Sequence, residues 1–143
     1  MDITHDLKIK ASPATVYQAV ATTKGIKGWW SKDCTVGEAE GQDSVLKFNK
    51  EGNIVEMGFR TLELQPNKKV VWECTDNGNS TWPGTKIITQ ITESPEGSSV
   101  VFSHAGFDEK WKGQPPFEMT KGGWEHFVAS LVSYCEGGEG QPW

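Results

Sequence analysis

Three histidines and three cysteines hold most of the acid–base and nucleophilic capacity of this chain. His104 is the sharpest candidate. It follows Phe102 by two residues in Val100-Val101-Phe102-Ser103-His104 and shares the apolar parity of that alternating run. An imidazole there could bond to a bound carbonyl or hydroxyl, or act as a general base. It could equally be satisfied inside the core by a backbone carbonyl or a carboxylate, the commoner fate of a buried histidine. Glu56 and Arg60 share a parity on one strand. They either recognise a polar head group or form a weak pair on the solvent face. The solvent-face reading is preferred, and the inward parity of that strand stays open because Val55, Met57 and Phe59 compete for it.

Other chemistries find less support. His5, His104 and His126 lie far apart, and after Glu125-His126 no second histidine follows at four residues, so no metal or other cofactor is expected. No G-x-S-x-G occurs, and Cys34, Cys74 and Cys135 form no C-x-x-C. Cys74 and Cys135 read as small buried apolar residues. Gly137-Gly138-Glu139-Gly140 follows a helical pattern instead of opening one, which suits a terminus better than a phosphate loop.

The elements that position these residues are mostly strands. Ile3 to Lys10 alternates with Ile3, His5, Leu7 and Ile9 on one side. Ser12-Pro13 opens a helix that ends near Thr22, and Lys24 to Trp30 forms a second, short one. Strands follow at Ser44–Asn49, Ile54–Leu64, Lys69–Thr75, Thr85–Thr92 and Ser99–Gly106. Lys50-Glu51-Gly52-Asn53, Gln65-Pro66-Asn67-Lys68 and Ser94-Pro95-Glu96-Gly97 are turns between them. Asp76–Ser80 is a loop and Phe107–Pro116 is irregular. Trp82-Pro83-Gly84 and Trp111 fall in loops, either covering the core or facing a partner. A final helix starts between Pro116 and Thr120, with Trp124, Phe127, Val128, Leu131, Val132 and Cys135 as its apolar stripe. Gly122 and Gly123 inside it cost roughly 1 kcal/mol each relative to Ala, which suggests a neighbour passing close to the backbone. Gly137–Trp143 reads as a loose tail on which Trp143 could dock.

At 143 residues the chain is one domain, 1–143, of α+β class. A net charge of -5 without a Lys/Arg cluster argues against a nucleic-acid surface. The odd cysteine count fits a reduced, cytoplasmic protein. Neither a signal peptide nor a membrane span is predicted.

The first strand, Ala11-Ser12-Pro13-Ala14-Thr15-Val16-Tyr17 and Gly28-Trp29-Trp30 resemble the START-like, Bet v 1-like helix-grip (SRPBCC) superfamily. Gly58 to Pro66, Val70-Val71-Trp72-Glu73, Val100 to Phe107 and Gly123-Trp124 resemble its AHSA1-type branch, named for a domain of the activator of the Hsp90 ATPase. The resemblance covers nearly the whole chain in order, although the separate N-terminal domain of the co-chaperone pattern is not expected here. It implies a curved antiparallel sheet of about six or seven strands around the long C-terminal helix, with one or two short helices after the first strand.

On that resemblance a pocket between sheet and helix is expected, on the order of several hundred Å³. Trp29 and Trp30 would stand at its mouth. Val70, Trp72 and Cys74 with Val100, Phe102 and His104 would line the sheet side, and Trp124, Phe127, Val128 and Leu131 the helix side. The alternative for each is ordinary core. Three functions follow. The first is binding of a hydrophobic or amphipathic small molecule. The second is a protein-interaction module with a chaperone partner related to Hsp90. The third is a cyclase- or hydratase-type enzyme using His104.

Overall fold

The computed structural model describes residues 1–75 and 81–143. The expected loop at Asp76–Ser80 lies outside the described residues. The N-terminal alternation forms β1 (Ile3–Ile9), with both end residues buried. Ser12 then caps α1 (Pro13–Ala21), its hydroxyl accepting the Thr15 N–H at 3.2 Å. Thr22 ends α1 and starts α2 (Thr23–Trp29), its hydroxyl accepting the Gly25 N–H at 3.0 Å. One capped residue thus sets the angle between two short helices and fixes where Trp29 and Trp30 point.

The remaining elements are β2 (Asp33–Thr35), β3 (Asp43–Lys50), β4 (Asn53–Gln65), β5 (Lys69–Cys74), β6 (Lys86–Ser94), β7 (Gly97–Ala105), a 3-10 turn at Glu109–Trp111 and α3 (Pro115–Cys135). The sheet has seven strands in the order β1-β7-β6-β5-β4-β3-β2, and every pair is antiparallel. This is the expected helix-grip architecture. β2, at three residues, is too short to leave a pattern in the sequence. α3 begins just before the predicted window because Pro115 and Pro116 occupy its first turn, where a missing N–H costs nothing.

Register settles the parity of β4. Phe59 pairs with Cys74 and Thr61 with Trp72, and all four are buried, so the odd residues up to Thr61 face inward. A register shift between Thr61 and Glu63 bends the strand, which helps the sheet curve toward α3. The inward sets of β5 and β7 are those expected from alternation: Val70, Trp72 and Cys74, and Val100, Phe102 and His104.

One open expectation is settled and one changes. The tail docks: Trp143 donates its N–H to the Trp30 carbonyl at 3.0 Å and accepts the Lys32 N–H at 3.2 Å. Its ring packs 5.0 Å from Phe127, which closes the core at that end. The glycine pair, by contrast, has no close neighbour. A Cβ at Gly122 or Gly123 would meet nothing within 4 Å. The close approach lies elsewhere, at Gly28, where a Cβ would strike the Tyr134 ring at 2.2 Å and block the α2–α3 contact. No helix among the described residues is long and apolar enough to cross a membrane.

Because Gly122 is exposed and unobstructed, Gly122→Ala should stabilise the protein by about 0.5–1 kcal/mol through helix propensity alone. Urea denaturation measures this. A loss of stability would mean that the outer face of α3 is constrained by something other than its own backbone.

Candidate functional site: an aromatic interior

Trp30 is the centre of the space between sheet and helix. Its ring stacks on Trp29 at 5.5 Å and on Trp72 at 6.1 Å. It meets Phe59 at 5.5 Å and Trp124 at 5.1 Å, with Phe48 and Phe127 next out at 6.0 and 6.5 Å. These residues come from α2, β3, β4, β5 and α3, so every layer sends a ring to the same point. Trp29 is held by its indole N–H, which donates to the Ala19 carbonyl at 2.8 Å.

The rings leave little room. The enclosed space lined by Trp29, Trp30, Val70, Trp72 and Phe102, together with Val20, Ile26, Ile87 and Thr89, is about 10 Å³. Among the described residues this space falls far short of the several hundred Å³ expected, and tryptophan and phenylalanine rings take up the volume around it. Five of the expected lining residues surround this remnant. His104, Trp124, Phe127, Val128 and Leu131 are buried core residues away from it. Trp29 and Trp30, placed at the mouth by sequence reasoning, are 1% and 2% exposed and stand inside.

His104 is fully engaged. Trp124 donates its indole N–H to Nδ1 at 2.9 Å, so Nδ1 carries the lone pair. In the neutral ring the proton then sits on Nε2, which lies 2.7 Å from Thr85 Oγ1 and donates to it. The Thr85 hydroxyl passes its own proton to the Trp82 carbonyl. Trp82 in turn donates from Nε1 to Thr120 Oγ1 at 3.0 Å and stacks on Trp124 at 6.0 Å. Thr120 closes the circuit by donating to the Pro116 carbonyl. Burial lowers the His104 pKa to about 3. A ring that is 1% exposed, with both nitrogens occupied, orients α3 against β7 and has no face left for a substrate.

Trp82, Thr85 and Thr120 are not among the sequence candidates, although the sequence leaves Trp82 as a core cover or a partner contact. At 8% exposed it covers the core. All three complete the histidine network, and only Trp82, by residue type, gave any signal in the sequence.

The remaining chemistry-bearing residues are dispersed. Arg60 faces outward and bonds Asp43 at 3.0 Å, and Glu56 is exposed on the same face. Both lie on the solvent face as preferred, but Arg60 takes Asp43 as its partner in place of Glu56. Burial pushes the Cys74 and Cys135 thiols up to about 12, which leaves them inert near neutral pH. No cluster of His, Cys, Asp or Glu able to hold a metal ion occurs among the described residues. Open space lies outside instead. One groove of about 680 Å³ is lined by Lys32, Lys47, Asn49, Ile54, Pro142 and Trp143, among others. Another of about 770 Å³ runs between the start of β1 and the first half of α3.

The histidine network makes a pH prediction. Between pH 6.5 and about 3 the unfolded chain binds a proton that folded His104 refuses. The contribution is whole above the unfolded pKa and is lost as pH falls, by about 1.4 kcal/mol per pH unit. His104→Gln removes that titration. The stability gap between wild type and variant should narrow from about pH 7.5 to about pH 4.5 in urea melts. A constant gap would show that His104 is not buried neutral.

Comparison with known proteins agrees with this architecture. The family model described as Activator of Hsp90 ATPase homolog 1-like protein matches residues 10–136. The solution structure of the Aha1 dimer from Colwellia psychrerythraea is 32% identical, with a TM-score of 0.76, and the match covers 95% of this chain and 96% of that one. A crystal structure from Staphylococcus saprophyticus, 21% identical with a TM-score of 0.77 over 99% and 98% of the two chains, shares the fold. So does the AHSA1-like protein from Aeromonas hydrophila, at 15% identity and a TM-score of 0.71 over 96% and 93%. No curated protein sequence matches. With the family model spanning most of its length and a relative at 32% identity over nearly all of it, the chain belongs to the Activator of Hsp90 ATPase homolog 1-like family.

Proposed function

We propose that this protein works through its surface, as a protein-interaction module whose partner is a chaperone of the Hsp90 type. The observation that carries this reading is the filled interior. Opening roughly 300 Å³, the lower end of ligand-pocket volumes, costs about 7 kcal/mol at about 24 cal/mol per Å³ of cavity. That matches the whole stability of an ordinary domain. A small molecule would have to repay this before binding at all, so internal carriage of a hydrophobic ligand ranks second. His104-based catalysis ranks third, since a neutral, doubly bonded imidazole has no free nitrogen to act as a base. The partner class rests on the family description and on the Colwellia relative being named Aha1.

The groove beside the β3–β4 hairpin is the surface to test first. Ile54 is 70% exposed and Trp143 is 41% exposed, and both line it between Lys32, Lys47, Asp33 and Glu51. An apolar floor with a charged rim has the composition of a recognition patch.

Titration into Hsp90 from the same cell, read as ATPase rate, should give a saturable change. Ile54→Asp should weaken it by at least about tenfold, roughly 1.4 kcal/mol, while stability stays within about 0.5 kcal/mol. A flat ATPase and calorimetric response to the wild-type protein would remove the chaperone reading. An unchanged titration with Ile54→Asp would move the contact to another face.

A further inference from the structure

Among the described residues, Nε1 of Trp72 is the buried side-chain polar atom left without a hydrogen-bond partner. The residue is 3% exposed, and its ring lines the small enclosed space beneath α2. Thr89, 2% exposed on β6, is the one hydroxyl-bearing residue of the same lining. The rest of that lining is aliphatic or aromatic. We infer that this space is a binding site for a single water molecule, which accepts the Trp72 indole N–H and bonds the Thr89 hydroxyl.

Three arguments converge on it. An indole nitrogen can only donate, and leaving such a donor buried and unmet costs about 1–3 kcal/mol. The stacked Trp30 ring does not supply a substitute. Trp30 is stacked on Trp72 at an interplanar angle of 25°, so an N–H lying in the Trp72 plane runs alongside the Trp30 face instead of into it. The volume, about 10 Å³, is at the threshold for one water and far below that for an organic ligand. Apolar cavities of this sort stay dry; here two polar groups change that, which is the minimum an internal water needs. The site therefore takes one small acceptor and excludes fatty acids, sterols and other long apolar molecules.

Water-selective NOE and ROE spectra of protein labelled at the indole nitrogens test this. Trp72→Phe identifies the Trp72 resonance among the seven indole signals of the wild-type chain. That resonance should show a cross-peak to water with the sign of a long-lived bound molecule. Thr89→Val, which keeps the shape and removes the hydroxyl, should abolish or strongly weaken it. A Trp72 indole proton that sees only protein protons overturns the site. A cross-peak unaffected by Thr89→Val overturns the shared holding by the hydroxyl. Should Thr89→Val fail to fold, the wild-type spectrum decides, supported by a crystal structure in which density for the water lies within hydrogen-bond reach of Nε1.

Discussion

A concave sheet and one long helix can touch along their rims without filling the volume between them. In this protein that volume is taken up by indole and phenyl rings, and three of the indole donors are met by protein acceptors while that of Trp72 is not. Trp29 bonds the Ala19 carbonyl, Trp124 bonds His104 and Trp82 bonds Thr120. An indole is a large apolar body with one obligatory donor. Packing several at one point is less costly where a backbone carbonyl, a hydroxyl or an imidazole meets those donors, as for Trp29, Trp82 and Trp124 but not for Trp72. The caps at Ser12 and Thr22, the prolines opening α3 and the bend in β4 all serve to bring the rings and their acceptors into register.

This explains why a histidine in the core is compatible with stability. His104 accepts on one side and donates on the other, so the neutral ring extends the indole network. A charged imidazolium would lose the Trp124 bond and would be held in a desolvated interior. The same circumstances that depress its pKa withdraw it from catalysis. The proposed surface recognition would use the outside, where open grooves and exposed apolar residues are found.

The strand and helix pattern was legible because alternation and helical spacing report which side of an element is buried. Val70, Trp72, Cys74, Val100, Phe102 and His104 face inward as their parity requires. Alternation does not report volume, however. Whether inward tryptophans leave a hollow or fill it depends on the angle of α2 and the seat of Trp143, both set by a few contacts in turns and tail. Parity in β4 was ambiguous because Glu56 and Arg60 compete with flanking apolar residues, and the cross-strand register with β5 resolves it. Thr85 and Thr120 were invisible because a threonine that completes a buried network has no distinguishing sequence spacing. Gly122 and Gly123 misled for a related reason: a helical glycine can mark a close approach, as Gly28 does against Tyr134, or nothing at all.

Native mass spectrometry of the protein purified without denaturation addresses the central claim most directly, namely that aromatic side chains occupy the interior. The account predicts a protomer mass equal to that of the bare polypeptide, and no small organic compound in the denatured extract. A stoichiometric mass increment from a hydrophobic compound of roughly drug size, released on unfolding and rebinding on addition, would contradict it.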